Sequence, residues 1–465
     1  MKCKKRSKIK WFVIGAIVLL VLFMLVSLIV PTLFQTHTVK EGSFAEIPKN
    51  TEERVRCIDD NQDALLWRLR VMESAEKELI FTTFSYQNDE AGRDMMAAIL
   101  HAAERGVHVR VLVDGFCGFT GTERSRLFRA LADTPNVEIR FYNPVNFLQP
   151  WKLNYRMHDK YIVADDHVYI LGGRNTKNLS LGEYQEKRDV DRDVLVYNAV
   201  PDENSSLQQV KDYFETVWNL PDTKVFAPGK TPDEKALSQL RTRYDQLAAS
   251  YPEAVQPCDW ETVTLETEGI TLLHNPVQAG NKRPTLWAEM MDYMANGKDV
   301  LIQTPYIMCN RNMYEDLHNL TQNGRQITLL TNAIESGANL MGCSDYINEK
   351  EHIHSVGAVT YEYMGDCSVH AKTVLIDDHL SLVGSFNCDM RSAYLDTELM
   401  LAIESKELNA QLRETAEKAM EQSRRVAADG TVTLGANCPN LPLKPAKRIL
   451  YGLVRYLILP VRHLL

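Results

Sequence analysis

Two stretches of the chain decide its fold: HDKYIVADDHVYILGGRN at residues 158–175 and HAKTVLIDDHLSLVGSFN at residues 370–387. In both, a histidine is followed by a lysine two residues later, an aspartate seven residues later and an asparagine seventeen residues later. His158 and His370 are 212 residues apart, and the paired lysines, aspartates and asparagines keep the same separation. One such pattern could be a coincidence, but two with identical spacing indicate a duplicated structural unit.

The residues around each motif predict an α/β fold. β-branched and aromatic runs flank an amphipathic helical stretch that stops at a glycine, Gly106 in the first half and Gly324 in the second. This order predicts β-α-β units over residues 79–86, 91–105 and 107–113 and over 299–307, 312–322 and 326–331. Phe84-Ser85-Tyr86 is predicted to correspond to Thr304-Pro305-Tyr306. Each motif predicts a hairpin whose first strand carries histidine and lysine on one face, because strand side chains alternate.

Composition and charge divide the chain into seven segments. They are a basic tail (1–10), an apolar segment (11–34), a first lobe (53–222), a helical connector (223–265), a second lobe (266–425), a linker (426–445) and a basic amphipathic segment (446–465).

The apolar segment is uncharged from Trp11 to Phe34, which is 24 residues. A helix of about 20 residues crosses a bilayer core, so the sequence predicts a transmembrane helix, with a cleaved signal peptide as the alternative. The lysines and arginine before it predict a cytoplasmic N-terminus, hence a single-pass protein of a cell membrane with its lobes outside.

The C-terminal segment combines basic residues with apolar and aromatic ones, and no acidic residue follows Asp429. This pattern is typical of a helix that lies in a membrane interface and is attracted to anionic lipid. The alternative is a helix that docks on the protein's own core.

The duplicated side chains suit the cleavage of a phosphodiester without a metal ion. This reaction needs a nucleophile, an acid for the leaving alcohol and positive charge beside the phosphate oxygens. One imidazole can attack phosphorus, a second can supply the proton, and lysines and asparagine amides can hold the oxygens. The candidate catalytic residues are His158, Lys160, Asp165, Asn175, His370, Lys372, Asp377 and Asn387. His352 and His354 have a metal-like spacing but no third partner, and no cofactor fingerprint is present, so neither a metal nor a cofactor is predicted.

Further residues are assigned supporting roles. Gly172, Gly173, Gly384 and Ser385 are predicted to let the backbone approach a phosphate. Carboxylates must orient the histidines, and the segments that follow the motifs offer Asp189, Asp191 and Asp193 in the first half and Asp396 and Glu398 in the second. Asp193 and Glu398 are the predicted pair, with a solvated acidic loop as the alternative. For Asp165 and Asp377, a structural contact to backbone or to a cation is favoured over direct chemistry.

The duplicated pattern resembles that of the phospholipase D superfamily, over roughly residues 55–425. Within it, the stretches NYRMH (154–158), LTN (330–332) and GSFN (384–387) through TE (397–398) are similar to bacterial cardiolipin synthases. The resemblance implies two lobes with the active site at their interface. It also implies His158 as the nucleophile and His370 as the acid and later the base. Many such synthases have two N-terminal spans where this chain predicts one, and Gly173 stands where a serine is frequent.

The resemblance implies a phosphatidyltransferase that passes through a phosphohistidine and acts on phospholipids, namely phosphatidylglycerol, with phosphatidylethanolamine as an alternative. Three other functions stay open: a phospholipase D that forms phosphatidic acid, a superfamily nuclease, and a membrane-tethered scaffold without activity. A synthase of the phosphatidylserine type that uses a nucleotide-activated lipid is a fourth. The net charge of -9 argues against a nucleic-acid partner.

Overall fold

The computed structural model describes residues 2–36, 46–49, 51–229 and 233–465. The first half contains α1 (Lys2–Ile29), β1 (Glu53–Ile58), α2 (Asn61–Ser74), β2 (Glu78–Thr83), α3 (Glu90–Glu104), β3 (His108–Asp114), α4 (Gly115–Gly121), α5 (Arg126–Ala132), β4 (Val137–Tyr142), β5 (Tyr161–Ala164), β6 (Val168–Gly172), β7 (Asp189–Val190), β8 (Asp193–Asn198), α6 (Ser206–Trp218), β9 (Thr223–Val225), α7 (Glu234–Ser250) and β10 (Leu265–Glu266).

The second half repeats this plan. It contains β11 (Gly269–His274), α8 (Thr285–Asn296), β12 (Asp299–Gln303), β13 (Ile307–Met308), α9 (Arg311–Gln322), β14 (Gln326–Asn332), α10 (Leu340–Ser355), β15 (Val359–Tyr363), β16 (Ser368–Val369), β17 (Thr373–Ile376), β18 (Leu380–Gly384), β19 (Cys388–Asp389), α11 (Met390–Tyr394), β20 (Leu399–Glu404), α12 (Lys406–Glu421), β21 (Ser423–Val426), β22 (Val432–Leu434) and α13 (Pro445–Leu457).

Each lobe is built on a nine-stranded mixed sheet. The strand orders are β10-β1-β8-β6-β5-β2-β3-β4-β9 and β11-β20-β18-β17-β12-β14-β15-β21-β22. Parallel strands β2, β3 and β4 in one lobe match β12, β14 and β15 in the other, and the motif hairpins β5–β6 and β17–β18 pair antiparallel beside them. The predicted α/β fold with two similar lobes is therefore confirmed.

Local sequence signals explain the crossover helices. Asp89 caps α3 by accepting a hydrogen bond from the Gly92 N–H, and Asn310 caps α9 through the Met313 N–H. Both helices stop at the predicted glycines, Gly106 at φ +96° and Gly324 at φ +83°, which is the left-handed backbone that favours glycine. One of the hydrophobic clusters draws residues from both lobes, so the lobes share part of their core.

Two predicted boundaries are wrong, because segments assigned to connections pack into the lobes. Helix α7 buries a stripe of leucines and a tyrosine, Leu237, Leu240, Tyr244 and Leu247, in the first lobe's core. Strands β9 and β10 complete the first sheet, so most of the predicted connector belongs to that lobe. Strand β22, within the predicted linker, extends the second sheet beyond β21.

The segment at the C-terminal end of α1 contacts the first lobe and the C-terminal residues. Asn154 Nδ2 donates to the Leu28 carbonyl at the end of α1 (2.6 Å), and Gln35 Nε2 donates to the His463 carbonyl (3.4 Å). Side chains of the predicted basic tail, residues 1–10, lie outside the described part. Within the described ranges no helix has the length and apolar character needed to cross a membrane, so the transmembrane helix predicted over 11–34 is not supported.

The C-terminal segment docks on the second lobe through one side. Arg462 Nε lies 2.8 Å from Asp345 Oδ1, and Tyr451 and Ile458 are buried. The opposite side of α13 stays exposed and carries Ile449, Leu450, Leu453, Tyr456 and Leu457. Docking on the protein's own core, the alternative prediction, therefore applies to one face of the helix, and within the described residues the other, apolar face is largely exposed.

Candidate active site

The two motif histidines lie at the interface between the lobes. His158 precedes β5, and its backbone N–H donates to the Thr397 carbonyl of the second lobe (3.2 Å). His370 precedes β17, and its N–H donates to the Val190 carbonyl of the first lobe (2.6 Å). Strands β7 and β16 pair across the same interface. Backbone hydrogen bonds between the lobes therefore fix the position of both histidines.

Each histidine is oriented by a carboxylate of the other lobe. His158 Nδ1 lies 2.9 and 3.0 Å from the two Glu398 oxygens, and His370 Nδ1 lies 2.6 Å from Asp191 Oδ2. An Nδ1–H that donates to a carboxylate leaves Nε2 with its lone pair directed elsewhere. This crossed arrangement leaves Nε2 of each ring on the side away from its carboxylate, and Lys372 Nζ lies 3.3 Å from Nε2 of His370.

Glu398 holds its predicted position, whereas Asp193 does not contact either histidine. Asp193 lies in a buried ion cluster, 2.9 Å from Arg68 Nη1 and 3.1 Å from Arg174 Nη1. The strand register explains the error: Asp193 is opposite Gly172, and Met400 is opposite Gly384. The residue that matches Glu398 is therefore Asp191, two positions earlier.

Burial sets the protonation of the histidines. Desolvation, and then the charge of Lys160, lowers the pKa of His158 well below its ordinary value. Desolvation and Lys372 also lower the pKa of His370, but Asp191 opposes them. Burial alone would raise the pKa of Asp191, yet Lys372 and His370 outweigh it and hold that pKa below its usual range. His370 thus has an ionised partner that can stabilise an imidazolium.

The partner of His158 behaves differently. Burial raises the pKa of Glu398 well above its ordinary value, with Lys160 opposing the shift. The hydroxyls of Ser385 and Ser392 both donate to its carboxylate oxygens. Ser385 therefore supports the orienting carboxylate, which differs from its predicted contact with phosphate.

The motif lysines are buried beside the histidines. Lys160 Nζ donates to the carbonyl of His158, and Lys372 Nζ donates to the carbonyl of His370. Burial lowers the pKa of Lys160 to about 7, and it also lowers the pKa of Lys372. Both ammonium groups lie within the cluster formed by His158, His370 and their carboxylates.

Asp165 and Asp377 lie in the hairpin turns, away from this cluster. Asp165 accepts hydrogen bonds from the N–H groups of residues 76, 77 and 78 at 2.7–2.9 Å. Asp377 accepts from Lys298 and Asp299 at 2.9 Å, and both aspartates have φ near +50°. Their inclusion among the candidate catalytic residues is corrected: they fix the hairpin to the neighbouring strand, the structural role that the sequence favoured.

The predicted phosphate-binding glycines pack closely against the chain segments at residues 191–193 and 399–400. A Cβ on Gly172 would lie 2.2 Å from Asp193 Oδ1, and one on Gly173 would lie 2.2 Å from Asp191 Oδ1. A Cβ on Gly384 would lie 2.1 Å from the Leu399 carbonyl. These glycines are therefore required by close packing within the protein.

The motif asparagines are buried and hold the loops beside the site. Asn175 Oδ1 accepts a hydrogen bond from the Ser85 N–H (3.2 Å). The backbone N–H of Asn387 donates to Ser392 Oγ (3.2 Å), the same serine that contacts Glu398. Each asparagine thus lies next to a segment that borders the histidines.

Asp159 lies between His158 and Lys160 and adds a negative charge to the first motif. Its carboxylate accepts hydrogen bonds from Thr397 Oγ1 (2.7 Å) and Tyr213 Oη (2.8 Å) and is fully buried. Thr397 adjoins Glu398, so Asp159 links the first histidine motif to the segment that orients it. Side chains alternate along an extended segment, so the middle residue of H-x-K, Asp159, is expected to point away from His158 and Lys160.

The two halves of the site differ in how open they are. The Phe84 ring packs edge-on against His158, with ring centroids 4.9 Å apart. The strand register matches Phe84 with Pro305, one position away from the predicted correspondence. Pro305 borders a cavity of about 220 Å³ beside His370. Side-chain exposure follows this difference, at 11% for His158 and 23% for His370.

The side chains around the two histidines come from both lobes: two imidazoles, two carboxylates and two lysines. Among the residues that the structure describes, no group of three or more histidines, cysteines and carboxylates is arranged to hold an ion.

This fold and this crossed site define a two-lobed protein of the phospholipase D superfamily. The family model described as "Cardiolipin synthase, PLD-like domain" matches residues 69–218 and 290–420, more than half of the chain. The chain belongs to this family, which confirms the predicted resemblance.

Individual relatives agree with the family. Cardiolipin synthase C of Escherichia coli is 26% identical over 76% of this chain and 81% of its own length. An uncharacterized protein of Helicobacter pylori is 24% identical over 84% of this chain and 85% of its own length. The crystal structure of phosphatidylserine synthase from Haemophilus influenzae has a TM-score of 0.62 at 16% identity, covering 90% of this chain and 98% of that one. At that identity the structural likeness concerns the fold.

Proposed function

We propose that the protein is a membrane-associated phosphatidyltransferase that makes cardiolipin from phosphatidylglycerol. The observation that carries this proposal is the crossed pairing of His158 with Glu398 and of His370 with Asp191. Two imidazoles with different electrostatic partners can serve as nucleophile and as acid in one reaction.

In the first step, His158 Nε2 attacks the phosphorus of one phosphatidylglycerol. A P–N bond forms, the P–O bond to the headgroup glycerol breaks, and the leaving oxygen takes a proton from His370 Nε2. The low pKa of His158 keeps its ring neutral and nucleophilic. Asp191 supports the proton on His370 until it is transferred.

In the second step, a hydroxyl of a second phosphatidylglycerol attacks the phosphatidyl-histidine. His370, now neutral, accepts the hydroxyl proton, a new P–O bond forms, and the P–N bond to His158 breaks. Lys160 and Lys372 provide positive charge near the phosphate oxygens in both steps. The product is cardiolipin, and both histidines return to their starting protonation states.

Membrane contact is part of the proposal. Trp11, Phe12 and Leu19 of α1 are exposed, and the free face of α13 is apolar with Arg448 and Arg455 on the same helix. Exposed apolar helices next to basic residues bind lipid surfaces. The placement of the lobes outside the cell remains a prediction from the charges at the N-terminus.

Hydrolysis is the second candidate, because the cavity beside His370 would admit water as well as an alcohol. Water in the second step would give phosphatidic acid. The nuclease alternative is disfavoured by the net charge of -9, since nucleic acid is bound through basic surfaces.

Product analysis tests the proposal. The purified protein in detergent is incubated with phosphatidylglycerol vesicles, alone and with phosphatidylethanolamine, and the lipids are identified by mass spectrometry. We expect cardiolipin from the unmodified protein and none from His158→Ala. Phosphatidic acid alone would establish the hydrolase, and no lipid product from a folded protein would refute both.

A further inference from the structure

The cavity beside His370 has room for a headgroup. Its walls come from both lobes and include Lys177, Asp189, Tyr306, Asn332 and Asn339. A volume of about 220 Å³ is below the roughly 300 Å³ at which pockets for drug-sized ligands begin. A diacyl phospholipid is larger than such ligands, so only its headgroup fits there and its chains must lie elsewhere.

A surface groove continues outward from this cavity. The cavity and the groove share Gly337, Ala338 and Ser368 in their walls. The outer groove runs between the loop at residues 187–188 and the segment that leads into α13. A ligand that extends from the groove into the cavity would therefore reach His370.

The groove is basic, although the chain as a whole is acidic. Four cationic side chains line it, Lys187, Arg188, Lys444 and Lys447. Its acidic residues are Glu335 and Asp366, and Glu335 lies 3.4 Å from Arg424, which also pairs with Glu362. Arg188 pairs with Glu183 at 3.3 Å, so the positive charge of the groove rests mainly on its three lysines. Lys447 Nζ donates to the backbone carbonyl of Glu335 (3.2 Å), so this contact leaves its positive charge unneutralised.

Apolar residues accompany these charges. Leu340, Leu441 and Leu450 line the same groove, and Leu450 also belongs to the exposed apolar face of α13. Positive charge beside an apolar surface is the combination that holds an anionic lipid at an interface. The groove thus connects the lipid-facing side of α13 to the headgroup cavity.

We propose that this groove and cavity bind the acceptor lipid, an anionic glycerophospholipid. This inference rests on the proposed phosphatidyl transfer. The headgroup glycerol occupies the cavity, its hydroxyl faces His370, the phosphate lies among Lys187, Lys444 and Lys447, and the acyl chains lie along α13.

The difference between the two halves assigns the acceptor to this side. Phe84 covers His158, whereas its counterpart Pro305 leaves the cavity open at His370. In the second step the base must touch the incoming hydroxyl, and that base is His370. An acceptor that enters beside His370 meets this requirement directly.

A competition between two acceptors tests the groove. Phosphatidylglycerol vesicles are supplied with deuterated glycerol, a neutral acceptor that gives labelled phosphatidylglycerol from the same phosphatidyl-histidine. The variant is Lys187→Gln/Lys444→Gln/Lys447→Gln. The control variant is Lys224→Gln/Lys406→Gln, which removes exposed charges outside the groove.

We expect the ratio of cardiolipin to labelled phosphatidylglycerol to fall at least tenfold in the groove variant and to stay within twofold in the control. The ratio should also fall with added salt in the unmodified protein, because salt screens exposed charges. An unchanged ratio in the groove variant would overturn the inference, even if total turnover fell through weaker vesicle binding. If the unmodified protein makes neither product, the proposed function itself fails.

Discussion

At the scale of single residues, two aspartates separated by one position have different tasks. Asp191 contacts His370, whereas Asp193 neutralises Arg68 and Arg174 in the core. We predict that Asp191→Asn lowers kcat/KM by about 10²-fold or more, since general acid–base catalysis contributes about 10²–10⁴-fold. Asp191 raises the pKa of His370, so its loss lowers that pKa further. The high-pH limb of the rate profile, where His370 loses its proton, should move to lower pH.

Asp193→Asn is the matched control. It removes one partner of a buried ion cluster, which costs about 3–5 kcal/mol of unfolding free energy. Its pH–rate profile, measured on the fraction that folds, should keep the limb of the unmodified protein. A limb that moves as far in Asp193→Asn as in Asp191→Asn would contradict the assignment of the orienting role to Asp191.

At the scale of elements, the motif hairpins are held by their turns. Asp165 accepts three backbone hydrogen bonds at the start of β2. We predict that Asp165→Ala lowers the unfolding free energy by about 1–3 kcal/mol, because buried or charged hydrogen bonds of this kind contribute that much. Urea unfolding followed by circular dichroism measures the loss. The pH–rate profile should stay the same; a change in its limbs would return Asp165 to the catalytic set.

Elements also show what sequence could and could not predict. The β-α-β units and the hairpins followed from periodicity and from the duplicated spacing, and Glu398 followed from the acidic segment downstream of the second motif. The sequence could not distinguish Asp189, Asp191 and Asp193, because side chains two residues apart along a strand lie on the same face. Asp191 follows Asn175 by 16 positions, whereas Glu398 follows Asn387 by 11. This difference in loop length removes the fixed offset that identified the motifs.

At the scale of the whole molecule, the free face of α13 should place the site against lipid. We predict that Ile449→Gln/Leu453→Gln/Leu457→Gln lowers turnover on phosphatidylglycerol vesicles at least tenfold. Each apolar side chain removed from lipid forfeits about 1.5–3 kcal/mol. Turnover of a short-chain, water-soluble phosphatidylglycerol should be unchanged, because the catalytic residues are not altered.

Val200→Gln/Val225→Gln is the control for the loss of exposed apolar surface. Both valines are exposed on the first lobe and lie outside α13. A loss of vesicle turnover as large in this control as in the α13 variant would argue against a specific lipid-facing surface. An equal loss on the soluble lipid would indicate that the α13 variant damages the site.

The crossed carboxylates have a consequence for the newly made chain. Neither lobe contains a histidine together with its orienting carboxylate, since His158 pairs with Glu398 and His370 pairs with Asp191 across the interface. Neither histidine is therefore oriented before the two lobes have packed together. Under the proposed transfer, a partly assembled chain lacks an oriented nucleophile, and we expect it to form no covalent lipid adduct.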